Sequence, residues 1–331
     1  MQDFRYLSQQ DVIALGGTLA QAALDDVFDV ITLMRQLKAQ MPAETHVSLA
    51  GSRGKAYALP AFVGGRFNAA GVKWTAHRPD ARDGLPQAMA MTLINCADTG
   101  LPLGLVESAV LTATRTAAVS ALALRHAAPR PVQRILLLGT GVQATAHLDM
   151  LRQLFPNLKQ VSWWSRSTSA FATDCKKLPW PLLRSTDLQH ACEQDFDAVV
   201  TCTSAAEPLL GTEVIRPGRL IIQVGYHEVT FAAIARSTKV VVDLWGDFCE
   251  TSAKSLFQMY RAGHFSPEHV DADLSNLLFD GWQPAPDDSV FFSSFGLNVF
   301  DIALAARMLS CAQQQGVGTL LPLFPEPFYL A

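Results

Sequence analysis

The hydrophobic pattern is most regular in the middle of the chain, from about residue 134 to residue 243. Short apolar runs alternate there with helix-like or polar segments, and each run has the length of a strand buried in a sheet. Six runs follow this pattern: RILLL (134–138), QVSWW (160–164), PLLRS (181–185), DAVVTCT (197–203), RLIIQVG (219–225) and KVVVD (239–243). The spacing predicts the α/β class, with a Rossmann-type doubly wound parallel sheet and crossover helices.

The segments on either side of this region have a different pattern. The residues before it have mixed helix and strand signals and a glycine-rich middle, FVGGRFNAAGVKW. After it, SVFFSSFGLNVFDIALAARMLSCAQQQGVG combines a strand-like run with a long helix that has an apolar face. We therefore expect two domains: an α+β domain from residues 1–118 and 295–331, and the Rossmann-type domain from residues 119–294.

A single cation stands in the most apolar helical segment of the N-terminal region. In TATRTAAVSALA (112–123), helical spacing places Leu111, Arg115, Ala118 and Leu122 on one stripe that should face a core. A buried cation without a partner costs several kcal/mol, and no acidic residue lies within four positions of this one. The sequence therefore predicts that Arg115 is neutralised either by an anion from a distant part of the chain or by a ligand.

The strongest local motif joins the first apolar run to a helical pattern. In RILLLGTGVQATAHLDML, Gly139 permits a tight turn, Gly141 allows the backbone to approach a pyrophosphate, and Ala144 suits close helix–strand packing. The N-terminus of the helix adds unpaired N–H groups and a positive dipole, so the motif predicts a dinucleotide site. The predicted cofactor-binding residues are Gly139, Thr140, Gly141, Val142, Gln143, Ser165, Arg166, Ser167, Thr201, Cys202, Thr203 and Val224.

The end of the second apolar run indicates which dinucleotide is preferred. An Asp or Glu there would accept hydrogen bonds from the ribose 2′-hydroxyl of NAD. The chain instead reads Trp164-Ser165-Arg166-Ser167-Thr168, which offers a cation and three hydroxyls but no acid. Because arginine binds a phosphate through two parallel charge-assisted hydrogen bonds, we expect NADP to be preferred over NAD. The alternative is a solvated loop that binds nothing.

Composition and charge narrow the class of partner. The 331 residues are 49% hydrophobic and 17% charged, the formal net charge is −4, and no dense basic run occurs. These values are typical of a folded enzyme-sized protein and make nucleic acid and membranes unexpected partners. The six cysteines lack CxxC spacing, so neither a metal site nor a disulfide framework is expected. The N-terminus also lacks the features of a signal peptide, and we expect a cytoplasmic protein.

Several segments resemble a known family. ESAVLTATRTAAVSALALRH, GTGVQATAH and FSSFGLNVFDIALAA are similar to segments of the ornithine cyclodeaminase/μ-crystallin family. The resemblance implies a homodimer in which the first of the two domains supplies the dimer contact and the substrate site. It also implies that Arg115 holds the α-carboxylate of an amino-acid-like substrate and that Lys73 acts beside it. A further basic residue of that domain is expected at Arg53 or Lys55, with a spacing that differs from the family pattern.

One loop departs from the pattern of the cyclodeaminases. Those enzymes carry an Asp in a GDCPGK-like loop after the fifth strand, where it handles protons during ring closure. This chain instead reads Val224-Gly225-Tyr226-His227-Glu228. His227 and Glu228 are both suitable as general acid–base groups, and the alternative for each is a hydrogen-bonded loop residue. The departure argues against the cyclodeaminase reaction but leaves a group that can handle a proton.

Four further positions have simpler interpretations. His126 and His147 lie on helix-like segments and are expected to be packing or surface histidines. Cys202 is expected to be a small core residue beside the cofactor. Asp301, within FGLNVFDIA, either braces the last helix or approaches the substrate site, and the sequence does not choose between the two.

The resemblance also implies a reaction. YLSQQDVIALGG, CTSAAEPLL, KVVVDLW and GHFSPE resemble, in order, segments of the family members that form 2,3-diaminopropionate for siderophores. These use NAD(P) to oxidise the C–N bond of an N-carboxyalkyl amino acid to an imine that is then hydrolysed, as when N-(amino-carboxyethyl)glutamate gives 2,3-diaminopropionate and 2-oxoglutarate. An NADPH-dependent ketimine or cyclic imine reductase would need the same groups. Two other hypotheses are a lyase that converts ornithine to proline and ammonia, and a non-enzymatic nucleotide-binding protein.

Overall fold

The structure is a computed structural model that describes residues 3–49, 54–78, 85–171 and 177–323. The strands are β1 (Asp3–Leu7), β2 (Ala39–Gln40), β3 (Thr45–Ser48), β4 (Lys55–Val63), β5 (Ala69–His77), β6 (Ala88–Cys96), β7 (Pro102–Glu107), β8 (Arg134–Leu138), β9 (Gln160–Trp164), β10 (Leu182–Ser185), β11 (Ala198–Thr201), β12 (Leu220–Gln223), β13 (Lys239–Val242), β14 (Val290–Ser293) and β15 (Thr319–Pro322). The α-helices are α1 (Gln9–Ala14), α2 (Ala20–Arg35), α3 (Ala109–His126), α4 (Val142–Leu154), α5 (Leu188–Glu193), α6 (Phe231–Arg236), α7 (Ser255–Arg261), α8 (Leu274–Phe279) and α9 (Asn298–Gln315).

The chain divides into two compact units, and the first combines Met1–Arg115 with Leu297–Ala331. Its eight-stranded sheet has the order β15-β1-β7-β6-β5-β4-β2. The eighth strand, β3, is paired with β4 on the same edge as β2. Neighbouring strands are antiparallel except for β1 and β7, which are parallel. Along β5 the side chains alternate, so that Lys73 and Thr75 are buried while Trp74 is exposed. Helix α9 packs on the buried face, where its Ile302 lies close to Gly71.

The two long helices of this part of the chain form where the sequence predicts them. At the start of α3, the Glu107 carboxylate accepts a hydrogen bond of 3.0 Å from the Ala109 N–H and so satisfies one of the free donors of the first turn. Leu111, Arg115, Ala118 and Leu122 are all buried, which confirms the predicted stripe. Helix α9 ends at Gly316, whose φ of 69° is a left-handed conformation that favours glycine.

The second unit, Thr116–Gly296, contains the predicted parallel sheet. Its seven strands have the order β10-β9-β8-β11-β12-β14-β13, and every neighbouring pair is parallel. All six apolar runs form strands, but the fourth and fifth end earlier than their apolar letters, at Thr201 and Gln223. The chain turns away there because the carboxyl ends of these strands lead into site loops. The α/β Rossmann-type fold class is confirmed.

The strand-like run before the last helix is more central than the sequence suggests. It forms β14, which is inserted between β12 and β13, so the strand order departs from the chain order. All four residues of β14 are buried, since the strand has neighbours on both sides. The sequence places this run after the six strands without assigning it to the sheet, because strand order depends on contacts between distant segments.

Membrane-spanning helices, clusters of metal ligands and disulfide bonds are all absent from the described residues. No helix there has the length and hydropathy that would let it cross a membrane. No group of His, Cys, Asp or Glu side chains in these ranges has the arrangement of a metal site. The cysteines described there are free: Cys96, Cys192, Cys202, Cys249 and Cys311.

Candidate active site

A buried carboxylate on α9 binds the two cations that the sequence singles out. Asp301 accepts a hydrogen bond of 2.8 Å from the Lys73 ammonium and one of 3.3 Å from Nε of Arg115. The Thr112 hydroxyl, one turn before Arg115 on α3, donates to the same carboxylate at 2.9 Å. A distant part of the chain therefore supplies an anion to Arg115, and Asp301 approaches the predicted substrate residues. All three charged side chains belong to the first unit.

The direct contacts of this cluster join one carboxylate to two cations. Lys73, Arg115 and Asp301 are 3%, 6% and 1% exposed, so their charges are poorly screened by water. Burial lowers the pKa of Lys73, and Asp301 opposes that effect. Burial alone would raise the pKa of Asp301, but Arg115 and Lys73 outweigh it and hold that pKa below its usual value. One carboxylate thus faces two cations.

Arg115 has capacity for a second anion. Its hydrogen-bond partner within the described ranges is Asp301, which accepts from Nε, so the two terminal nitrogens donate no hydrogen bond to those residues. These nitrogens form the outer edge of the guanidinium fork, which matches a carboxylate through two parallel bonds. The cluster can therefore bind an external carboxylate through these nitrogens.

The other predicted basic residues are placed differently. Arg53 lies outside the described residues. Lys55 is exposed at the start of β4, where it is paired with His77, whereas Lys73 is paired with Leu59. The structure thus gives Lys55 no contact with Asp301, and its predicted substrate role stays a prediction.

The glycine loop after β8 has the geometry that a dinucleotide requires. Gly139 has a φ of 103°, and a Cβ there would lie 2.3 Å from the Cys202 carbonyl oxygen, so only glycine fits the turn. Gly141 precedes α4 as its N-cap, without a side-chain cap, and nothing lies within 4 Å of the position that a Cβ would take. The open backbone and the free N–H groups of a 13-residue helix fit a pyrophosphate group. Ala144 is fully buried against the sheet, as predicted.

The loop after β9 carries the residues predicted to select the cofactor. Ser165 is buried, and its hydroxyl lies 3.4 Å from that of Thr140 in the glycine loop. Arg166 and Ser167 are exposed, and the Ser167 hydroxyl accepts a hydrogen bond from the Ser169 N–H. Residues 165–171 include no acid, so nothing in this segment would repel a phosphate. Val142, at the first turn of α4, is 67% exposed, and Gln143 is half-buried.

Glu228 is held at the carboxyl ends of β11 and β12. Its Oε1 accepts hydrogen bonds from the Thr203 N–H at 2.9 Å and the Thr203 hydroxyl at 3.1 Å, while Oε2 has no partner among the described residues. A Cβ on Gly225 would lie 2.0 Å from Oε1, so glycine is needed for this close approach. The side chain is fully buried, and burial raises its pKa, although Lys254 and the Thr203 hydrogen bonds act in the opposite direction.

His227 and Lys254 complete this loop. His227 is half-buried, and its Nδ1 lies 3.2 Å from the Ser255 hydroxyl. Lys254 is 2% exposed and donates hydrogen bonds to the carbonyl groups of Val224 and Gly225, the second at 2.7 Å. The carbonyl of Val224, a predicted cofactor residue, therefore already accepts a hydrogen bond from Lys254. The buried Lys254 ammonium holds the backbone of Val224 and Gly225, which precedes Glu228.

Two residues beside the loops have packing roles. His147 on α4 is buried, with Nε2 2.8 Å from the Ser120 hydroxyl and Nδ1 2.7 Å from the Gln143 carbonyl. Burial lowers the pKa of His147 to about 4, so the ring is neutral at physiological pH. Burial also raises the pKa of the Cys202 thiol well above its usual value, which makes this thiol a small apolar group rather than a nucleophile.

Comparison with known proteins decides the family. A family model described as ornithine cyclodeaminase/mu-crystallin family matches residues 9–315. This chain belongs to that family. The two domain-sized units and the glycine loop are thus those of a member of the ornithine cyclodeaminase/mu-crystallin family, as the sequence motifs predict.

Individual relatives extend along almost the whole chain. The N-((2S)-2-amino-2-carboxyethyl)-L-glutamate dehydrogenase of Staphylococcus aureus is 24% identical over 98% of this chain and 99% of that protein. The Delta(1)-pyrroline-2-carboxylate reductase of Thermococcus litoralis, solved in complex with NADH and L-proline, has a TM-score of 0.87 at 25% identity, over 96% of this chain and 99% of that one. An archaeal alanine dehydrogenase dimer with bound NAD has a TM-score of 0.84 at 24% identity, over 97% and 100%.

Family and loop geometry together establish the class of activity. This member of the ornithine cyclodeaminase/mu-crystallin family is an NAD(P)-dependent oxidoreductase that acts on amino acids or imines. The predicted enzyme class and the NAD(P) cofactor are therefore confirmed. The roles of individual residues stay predictions that the geometry supports to different degrees.

Sequence reasoning left one residue of the site undecided and missed two others. Asp301, a lone charge within an apolar helical run, could either brace the last helix or approach the substrate site, because its partners are not adjacent in sequence. Thr112 lies in the TATRTAA motif and has no signal of its own. Lys254, in the segment TSAKSLF, has no pattern that distinguishes it from a surface lysine.

Proposed function

We propose that this enzyme oxidises the C–N bond of an N-carboxyalkyl amino acid and hydrolyses the resulting imine. The substrate that we infer is N-(2-amino-2-carboxyethyl)glutamate, with 2,3-diaminopropionate and 2-oxoglutarate as products. The observation that carries the proposal is the Lys73–Asp301–Arg115 cluster, in which one buried carboxylate faces two cations. The likeness to the S. aureus dehydrogenase over nearly the whole chain supports the choice of substrate.

The cation cluster orients the substrate. The terminal nitrogens of Arg115 donate to the α-carboxylate beside the carbon that is oxidised, and the Lys73 ammonium adds a second positive charge. Asp301 holds both cations in place from the opposite side, at 2.8 Å from Nζ and 3.3 Å from Nε. Because all of these groups are buried, the attraction for a carboxylate is much stronger than it would be at the surface.

The residues of the predicted cofactor site would bind the dinucleotide and shape the loop around it. The nicotinamide, when bound, supplies hydride transfer. Gly141 and the N-terminus of α4 would hold the pyrophosphate through free backbone N–H groups. Gly139 would supply the tight turn before them, since its own N–H donates to the Trp164 carbonyl, and Ala144 lets the helix lie close to the sheet. Thr203 and Val224 follow the carboxyl ends of β11 and β12, where ligands bind in this class of sheet.

Glu228 is the group that we assign to the proton of the hydrolytic water. An imine carbon is attacked by water, and the water must lose a proton to a base as it attacks. Glu228 has one oxygen bound to Thr203 and one without a partner in the described structure, so it can accept a proton while keeping its position. His227 is the second candidate, since its ring is half-buried and is oriented by Ser255.

This assignment predicts a pH dependence. Burial raises the pKa of Glu228, so the basic form is lost at a higher pH than the ordinary value of about 4.3 for glutamate. We expect kcat/KM to fall as the pH decreases through this raised pKa, and Glu228→Gln to lower kcat by roughly 100-fold or more and remove that acid limb. Steady-state rates from pH 4.5 to 9 measure both effects. An unchanged acid limb in Glu228→Gln, together with loss of that limb in His227→Gln, would transfer the role to His227.

We propose that NADP is preferred over NAD because of the loop after β9. Arg166→Ser should lower kcat/KM with NADP by about tenfold, since an exposed charge-assisted hydrogen bond contributes about 1–2 kcal/mol, and leave kcat/KM with NAD unchanged. Initial rates with both cofactors, on wild type and variant, measure this. Equal efficiency of wild type with NAD and NADP would refute the preference.

The decisive experiment for the reaction uses the purified protein and one compound. N-(2-amino-2-carboxyethyl)glutamate is incubated with NADP or NAD, and absorbance at the reduced nicotinamide band is followed together with the products. We expect one reduced cofactor and one 2-oxoglutarate for each substrate consumed. Ornithine consumption with release of proline and ammonia, but without reduced cofactor, would support the lyase instead.

A second candidate is an NADPH-dependent cyclic imine or ketimine reductase. The observation that favours it is the likeness to the T. litoralis reductase of a cyclic imine, at a TM-score of 0.87 and 25% identity. The same cluster would hold the carboxylate of such an imine. Oxidation of NADPH by Delta(1)-pyrroline-2-carboxylate, at a kcat/KM above that for the N-carboxyalkyl amino acid, would make this the main activity.

We also propose that the protein is a homodimer formed through the open face of the first sheet. Helix α9 covers the face with Lys73, whereas Trp74, Met89 and Met91 lie on the other face, where Trp74 is 47% and Met89 39% exposed. Contiguous exposed apolar side chains mark interaction surfaces, and the archaeal relative is a dimer. Trp74→Glu should therefore give a monomer in analytical ultracentrifugation, and an unchanged sedimentation coefficient would contradict this interface.

A further inference from the structure

A carboxylate lies next to the row of strand residues that contains Lys73. Leu59 of β4 is paired with Lys73, and Thr45, the first residue of β3, is paired with Ala58. Glu44 immediately precedes β3, and continuing the β3–β4 register by one residue places it beside Leu59. Residues side by side in a sheet point to the same face. Strands are about 4.8 Å apart, so the Glu44 and Lys73 backbones are roughly 10 Å apart. Their long side chains extend on the same face, with Leu59 between them.

Glu44 and Lys73 influence one another without direct contact. Glu44 is half-buried, and burial raises its pKa while Lys73 and His46 oppose the effect. No ion pair joins Glu44 to Lys73 within the described ranges, since the Lys73 ammonium is bound to Asp301 at 2.8 Å. A second carboxylate therefore lies near Lys73 without neutralising it by direct contact. A ligand with a negative and a positive end would match both charges.

The surroundings of Glu44 suit an ammonium group. Tyr57 of β4 is paired with His46 and lies between two imidazoles, with ring centroids 5.5 Å from His46 and 5.7 Å from His77. Tyr57 lies two positions before Leu59 on β4, so the two side chains are on the same face of the sheet. Burial raises the pKa of Tyr57, and Glu44 adds to that effect. A carboxylate beside an aromatic ring is an environment that binds organic cations.

We propose that Glu44 binds the primary ammonium group of the substrate while Arg115 and Lys73 bind its α-carboxylate. This inference rests on the proposed function and adds to it the recognition of the substrate's second half. In N-(2-amino-2-carboxyethyl)glutamate the primary ammonium lies a few bonds from the glutamate α-carboxylate, on the far side of the secondary amine. Glu44 thereby selects N-substituted amino acids whose added arm carries a free primary amine.

The test compares two compounds that differ only in that amine. Wild type and Glu44→Gln are assayed with N-(2-amino-2-carboxyethyl)glutamate and with N-(2-carboxyethyl)glutamate, which lacks the primary amine. We expect wild type to favour the amino compound by about tenfold or more in kcat/KM, as one charge-assisted hydrogen bond would provide. Glu44→Gln should raise KM for the amino compound until the preference disappears, with a much smaller change in KM for the other compound.

A matched variant and a binding measurement separate the outcomes. Asp29→Asn removes a carboxylate of the same unit that pairs with Arg66 on the surface, and it should keep the preference. Calorimetric binding of both compounds, with oxidised cofactor present, reports recognition without turnover. A preference that survives in Glu44→Gln, or is absent from wild type, overturns the role of Glu44. A Glu44-dependent binding preference without turnover keeps that role and refutes the proposed reaction.

Discussion

Replacing Arg115 by alanine is expected to lower kcat/KM by roughly a hundredfold to several thousandfold. The variant removes the fork that holds the substrate carboxylate, and loss of a buried charged partner costs about 3–5 kcal/mol, with each 1.4 kcal/mol equal to a factor of ten. The fold should persist, because Asp301 keeps its 2.8 Å ion pair with Lys73. Steady-state kinetics on the N-carboxyalkyl substrate measure the loss.

Two controls show whether this loss comes from the carboxylate. Affinity for NADP should stay near the wild-type value, because the glycine loop at Gly139 and Gly141 is not altered. Arg115→Lys should recover only part of the activity, because it restores the charge but not the two parallel donors. If Arg115→Ala turned over substrate at the wild-type rate with an unchanged KM, the guanidinium would be a structural partner of Asp301, and the proposed chemistry would fail.

Replacing Asp301 by asparagine is expected to have the largest effect on stability. Two buried cations would then face each other without an anion, and an uncompensated buried charge costs about 3–5 kcal/mol. For a unit of this size, about 3 kcal/mol corresponds to a decrease in Tm of roughly 6–12 °C. Scanning calorimetry measures it. Asp29→Asn is the matched control, since its 2.7 Å pair with Arg66 is exposed and should contribute less than about 1 kcal/mol.

The pH dependence of this effect has a definite sign. Arg115 and Lys73 lower the pKa of Asp301 in the folded state despite its burial, so its stabilisation is present above the unfolded value of about 3.9 and is lost as the pH falls further. The stability difference between wild type and Asp301→Asn should therefore be full at pH 6 and shrink in strong acid. The double variant Lys73→Met, Asp301→Asn should regain part of the lost stability, because it removes one of the two cations. A Tm of Asp301→Asn equal to that of wild type at pH 6 would show that the cations are neutralised in another way.

Much of the second unit could be predicted because its signals are local. A buried parallel strand requires a short apolar run, and all six runs became strands. The turn at Gly139 requires a residue without a Cβ, so the motif can be recognised from the sequence alone. The position of β14 between β12 and β13 could not be predicted, because pairing of parallel strands is decided by packing across long connections.

The sequence by itself determined the fold class, the nucleotide loop and the presence of a cation, Arg115, in an apolar helix. It also raised the question of what neutralises Arg115, since an unpaired buried charge is too costly to ignore. Only the tertiary structure decided the answer, because Asp301 lies 186 positions away in the chain and meets Arg115 only in the folded protein. Tertiary structure likewise brought Glu44 into the row of Lys73 through strand register, and no local pattern records such a pairing. Local sequence patterns determine the secondary structure of a segment. The charge balance of a buried site depends instead on which distant segments pack into the same low-dielectric interior.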